Sequence, residues 1–217
     1  MTAENAPMKR DTAATRLHRR SFDEVATLVA KAAMARGYPE APASVAGEMT
    51  LWCERHRLQG LLAMADHLER LTQFDPEAAK PKPQKDGPVQ FRDPVIGGMF
   101  IHHHYDDFQW PALIEGPQSG TIIFAAFLAL GAHQRGDRLS IAFLGTDDRP
   151  AEGARLLYGE GRSLFEGDPS LARLTRRMGV EKIEDGQPMP PLDEPLQESV
   201  PCREDAWRRL EALISVH

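Results

Sequence analysis

The chain has 217 residues, 41% hydrophobic, 27% charged and 7% aromatic, with a formal net charge of −6. This composition excludes wholesale disorder, and the acidic balance excludes nucleic acid as the main partner. The longest apolar run, Ile122 to Gly131, falls well short of the roughly 18 residues that a membrane span needs, and two cysteines, Cys53 and Cys202, are too few for a disulfide scaffold or a cysteine zinc site.

Residues 1–20 read as a flexible leader: basic, with few large apolar side chains and no apolar core of a secretory signal. The expected location is the cytoplasm. A helical unit follows over 21–73. Ser21-Phe22-Asp23-Glu24 is a capping box, in which Ser21 accepts from the Glu24 amide while Glu24 reaches back to Ser21. Val25, Leu28, Val29 and Ala32 then share one helical face, and Gly37 supplies a left-handed stop. Val45, Met49, Trp52, Cys53 and His56 recur at helical spacing in a second helix, and Leu61, Leu62, Met64, Ala65, Leu68 and Leu71 line a third. His56 and His67 read as packing histidines and Cys53 as a small core residue.

Residues 74–88 interleave prolines with lysines and read as an exposed linker. A central α/β unit occupies 89–184. Val89–Arg92 and Val95–Ile101 are strand candidates. Ala112–Glu115 reads as a strand, Gly116–Gly120 as a turn, and Thr121 to about His133 as a helix apolar on most faces, hence buried. Arg138–Leu144 reads as a second strand. Two parallel strands joined by a helix form a crossover unit, and its helix is the expected core. Asp168-Pro169 marks a further helix start, with Leu171, Leu174 and Met178 following on the helix and Gly179 as its stop, and Val180–Glu184 reads as an edge strand. A second proline-rich linker spans 185–199, and a C-terminal helix occupies 200–217. The fold class is α/β (or α+β): an N-terminal helical unit packed on a small mixed sheet with a buried crossover helix.

Two stretches carry chemistry. In Gly116-Pro117-Gln118-Ser119-Gly120-Thr121, a turn between strand and helix presents free amides at a helix N-terminus, which suits phosphate or carboxylate. Gly116, Ser119, Gly120 and Thr121 are the candidate ligand-binding residues; an ordinary turn in which Ser119 or Thr121 caps the helix is the alternative. The second stretch is His102-His103-His104-Tyr105-Asp106-Asp107. If it is extended, His102, His104 and Asp106 share one face and could offer three ligands to a divalent metal; the alternative is a polar surface segment. Asp147-Asp148 is a carboxylate pair at a strand's end, and Arg173, Arg176 and Arg177 read as a basic helix face at the surface, with binding of an acidic partner as the alternative.

Two resemblances add to this reading. With its capped helix, the Gly37-Tyr38-Pro39-Glu40 turn, the Ala-rich second helix and the Leu-rich stretch after Gly60, Ser21–Leu71 resembles the N-terminal segment of the type-2 malate/lactate dehydrogenases, which use nicotinamide cofactors without a Rossmann fold. That family places a Ser-His-Gly motif with a catalytic histidine where this chain reads Leu58-Gln59-Gly60, and neither Leu58 nor Gln59 can titrate near neutral pH. The same helices, with Glu115–Gly145 and the tryptophan helix around Asp205–Leu213, resemble an uncharacterised bacterial domain-of-unknown-function family. Three functions stay open. The first is a non-catalytic small-molecule-binding or accessory subunit, a homo-oligomer or the partner of another protein. The others are a metal-dependent enzyme using His102, His104 and Asp106, and a divergent nicotinamide-dependent oxidoreductase.

Overall fold

The capping box at Ser21 forms as its sequence predicts. Ser21 Oγ accepts from the Glu24 amide at 3.3 Å, and the Glu24 carboxylate accepts from the Ser21 amide at 2.8 Å. Helix α1 (Phe22–Ala35) starts there and buries Val25, Leu28, Val29 and Ala32. A short turn through Gly37 leads to α2 (Glu40–Arg55), and α3 (Gly60–Arg70) follows. The fold is a computed structural model that describes residues 16–75, 88–145 and 150–215. Most of the expected linker at 74–88, and the pair Asp147-Asp148, lie outside the described residues.

Helices α1 and α2 approach closely at one glycine. A Cβ on Gly47 would stand 2.4 Å from the Ala26 carbonyl oxygen, inside any contact that backbone can relieve. Alanine is favoured over glycine by about 1 kcal/mol in a helix interior, yet here the helices would have to separate. Gly47→Ala is therefore expected to lower stability by about 1–3 kcal/mol in urea denaturation; a gain would contradict this packing.

Beyond the helices lies a six-stranded mixed sheet. Its strands are β2 (Val89–Gln90), β3 (Ala112–Glu115), β4 (Leu139–Leu144), β5 (Pro150–Gly159), β6 (Arg162–Glu166) and β7 (Arg177–Lys182), in the order β2-β3-β7-β4-β5-β6. β2 pairs parallel to β3, and every other neighbouring pair is antiparallel. Both β3 and β4 run antiparallel to β7, so they are parallel to each other. The crossover unit is present, but with β7 inserted between its strands. Helix α5 (Gly120–Arg135) joins them and buries Ile122, Ile123, Phe124, Phe127 and Leu128 among others. At about 1.5–3 kcal/mol per large apolar side chain, it is the centre of the core, as its all-round hydrophobicity implies.

Several expectations from sequence are corrected. Val95–Ile101 is helix rather than strand, inside α4 (Pro94–His103). Val180–Glu184 is no edge strand: β7 takes its first residues into the middle of the sheet, where backbone pairing with β3 on one side and β4 on the other holds them. The β5–β6 hairpin extends the sheet where no strand was read. Finally, the end of the expected leader forms β1 (Leu17–Ser21), which pairs antiparallel with β8 (Ser199–Arg203) just before the C-terminal helix α7 (Glu204–Ile214). Asp168 caps α6 (Pro169–Leu174), accepting from the Ser170 amide at 2.8 Å, but the helix ends at Leu174 and not at Gly179: β7, pairing with β3 and β4, takes Arg177 and Met178, so Arg176 and Arg177 share no helix face with Arg173. No described helix is long and apolar enough to cross a membrane.

Candidate functional site

The carboxyl ends of β3 and β4 and the amino end of β7 meet at one edge of the sheet, the edge at which open α/β sheets commonly hold ligands. A groove of about 560 Å³ opens there, with Gln118, Leu174, Thr175, Arg176 and Arg177 in its walls. Arg177 Nε donates to Glu115 at 3.2 Å. Arg176 is exposed, with no side-chain hydrogen bond or ion pair to a described residue. Leu174 is half exposed beside it.

Of the turn singled out in the sequence, Gln118 enters the groove wall, while Gly116, Ser119, Gly120 and Thr121 are packed against other parts of the protein. Gly116 lies against the Phe124 ring, where a Cβ would come within 2.1 Å. Gly120 is packed between Pro117 and Pro94. Ser119 occupies the N-cap position of α5 in the left-handed region (φ 74°), fully buried, and its hydroxyl donates to Asp66 at 3.2 Å rather than capping the helix. Thr121, also fully buried, donates to the Ala172 carbonyl at 3.2 Å and meets the Thr175 hydroxyl. A carboxylate of the protein itself thus serves this turn. Asp66 also binds Arg173, and Arg209 at 2.6 Å; Arg209 in turn holds Glu69. Burial pushes the Asp66 pKa up, but the two guanidiniums outweigh it and hold the carboxyl below its usual range.

His102, His104 and Asp106 do not share an extended face. His102 lies in the last turn of α4, His104 is that helix's C-cap, and Asp106 follows in a single 3-10 turn. His104 Nδ1 bonds Asp107 at 2.8 Å, while Asp106 is held by Arg135 at 2.7 Å. The missed signal is Asp93-Pro94, the same cap-plus-proline start that marks α6. Asp93 accepts from the amides of Val95 and Ile96 at 2.9 and 2.8 Å and turns the apolar stretch into a helix. Among the described residues no group of three or more His, Cys, Asp or Glu side chains could hold a metal ion.

Two buried networks went unread in the sequence. In the first, the Tyr38 hydroxyl donates to Asp93. With its one proton spent, it can only accept from His67 Nε2, 2.8 Å away. All three side chains are buried. Burial raises the Asp93 pKa, yet the bonds from His67, Tyr38 and the Ile96 amide hold it below the usual value. The second lies at the end of α2. His56 Nδ1 bonds the Ser163 hydroxyl at 2.7 Å, and the ring stacks on Trp52 at 4.0 Å. Burial, then Arg55 and Arg57, lowers its pKa to about 4. Glu54 is buried, accepts the Leu61 amide at 2.7 Å, and is pushed up to about 7 by its burial. Gln59 precedes α3 in the left-handed region, φ 54°.

A family model described as a protein of unknown function (DUF3726) matches residues 20–90. No curated protein matches the chain. Among solved structures, a dehydrogenase from Sinorhizobium meliloti is 13% identical, with a TM-score of 0.51 over 91% of this chain and 99% of that one. A malate dehydrogenase from Entamoeba histolytica is 10% identical, with a TM-score of 0.37 over 66% of this chain and 44% of that one, too loose a likeness to carry an argument. The first likeness is one of fold. Together the matches agree with the two resemblances in the sequence, one to a family of unknown function and one to dehydrogenases.

Proposed function

We propose that this chain is a non-catalytic binding or accessory protein on a dehydrogenase-like fold, acting in the cytoplasm, and that its ligand is a small carboxylate or phosphate held in the groove at the carboxyl ends of β3 and β4. The observation that carries the reading is Arg176, a guanidinium with no described partner in the wall of an open groove, next to Gln118, whose side-chain amide can add to an anion's hydrogen bonds. The buried residues flanking Gln118 in its turn give it the rigid support that such a site needs. Gln59, standing where the resembling enzymes have an imidazole, supports binding without proton transfer.

Isothermal titration with inorganic phosphate and with malonate tests this. At least one is expected to bind, and Arg176→Ala to weaken it about tenfold, the effect of one charge-assisted contact. Equal affinity in the variant, or no binding of either anion at millimolar concentration, would refute the site. The dehydrogenase likeness favours a second reading, a divergent nicotinamide-dependent oxidoreductase. Quenching of tryptophan fluorescence by NADH or NADPH would favour it over the first.

A further inference from the structure

A separate pocket of about 210 Å³, sharing no lining residue with the groove, lies between the end of α2, the start of α3 and β8. One water needs only about 10–15 Å³ of such space, so this pocket admits a small organic molecule. Its polar wall is unusual. Glu54 is only 7% exposed, uses one carboxyl oxygen for the Leu61 amide, and has no cation or further donor among the described residues. Gln59 Oε1 is buried with no hydrogen-bond partner. A buried acceptor left unmatched costs about 1–3 kcal/mol; Gln59 Oε1 is one, and the second Glu54 oxygen beside it has no donor among the described residues. Both ask for N–H donors.

The opposite charge stands on the same pocket. Among the described residues Arg57 pairs only with Asp193, at 3.7 Å, and both are more than half exposed, so that pair is weak and easily exchanged. Arg203, also in the wall, is held by two bonds to Asp205. Leu17, Leu62 and Pro201 supply apolar surface. The occupant that satisfies all of this carries an ammonium group, a carboxylate and a short apolar side chain.

We propose that this pocket binds a small zwitterionic α-amino acid, its ammonium group on Glu54 and Gln59 and its carboxylate on Arg57. This site is independent of the anion groove and stands or falls without it. The probe is L-alanine, titrated calorimetrically into the full chain beside propionate, which lacks the ammonium, and ethylamine, which lacks the carboxylate. L-Alanine is expected to bind at least about tenfold more tightly than either fragment. Glu54→Gln, which keeps the shape and the Leu61 bond, should abolish its preference over propionate. Arg57→Asn should remove its preference over ethylamine; asparagine suits position 57 because the backbone there is left-handed, φ 61°. Thermal unfolding of each variant confirms that it is folded. Equal binding of alanine and propionate, insensitivity to Glu54→Gln in a folded variant, or no heat at millimolar L-alanine would overturn the proposal.

Discussion

Asp93→Ala is expected to destabilise the protein by about 3–5 kcal/mol, the range for breaking a buried, hydrogen-bonded charge network by removing one member. Three losses combine in one side chain. The amides of Val95 and Ile96 lose their cap, which alone is worth about 0.5–2 kcal/mol. The Tyr38 hydroxyl loses its acceptor, and His67 Nε2, 3.5 Å from the same carboxylate, is left in the interior with the phenol alone. Asp93→Asn keeps an oxygen for the cap and should cost less than alanine. The sign of the pH dependence follows from the depressed pKa. A carboxyl held below its ordinary 3.8 when folded stabilises above that value and loses the contribution as pH falls through the folded pKa. The gap between parent and Asp93→Ala in urea midpoints should therefore be full at pH 7 and narrow below pH about 3.8. A difference under about 1 kcal/mol at pH 7 would mean that the network is not closed as described.

Those parts of the molecule governed by local rules were legible from the residues. The Ser21–Glu24 box, the stop at Gly37 and the all-round apolar α5 each follow from neighbours within a few positions. The insertion of β7 between β3 and β4 does not, because strand order is decided by partners between 33 and 68 residues away in the chain, and nothing in Arg177–Lys182 itself distinguishes a central strand from an edge. The same holds for β1, whose partner β8 lies at the other end of the chain. Val95–Ile101 was misread for a different reason. Its apolar run is compatible with either period, and only the cap before it decides. At the candidate sites, the turn at 116–121 was legible as a strand-to-helix junction, but Arg176 beside it could not be told from any surface arginine. Glu54 was invisible because an acid in an amphipathic helix reads as its solvent face. Burial by β8, more than 140 residues on, turns it inward.

Glu54 and His56 stand two residues apart and are expected to give the protein two opposed pH dependences that mask each other. Burial raises the Glu54 pKa from 4.5 to about 7. The unfolded chain therefore releases this proton first, and the stability that Glu54 leaves intact at pH 4.5 falls as pH rises toward 7. The shift corresponds to about 3 kcal/mol. His56 works the other way. Burial lowers its pKa from 6.5 to about 4, so below 6.5 the unfolded chain takes up a proton that the folded one refuses. Stability is then lost as pH falls toward 4, again by about 3 kcal/mol. Between about pH 4.5 and 6.5 the two slopes cancel in the parent. Glu54→Gln should unmask the histidine, giving a protein more stable than the parent above pH 7 that loses stability steadily on acidification. His56→Gln, which can still bond Ser163, should unmask the acid and lose stability as pH rises from 4.5 to 7. Urea midpoints at pH 4.5, 5.5 and 7 separate the three proteins. Parallel curves for parent and Glu54→Gln would show that the carboxyl reaches water in the folded state, and would remove the buried acid on which the amino-acid pocket depends.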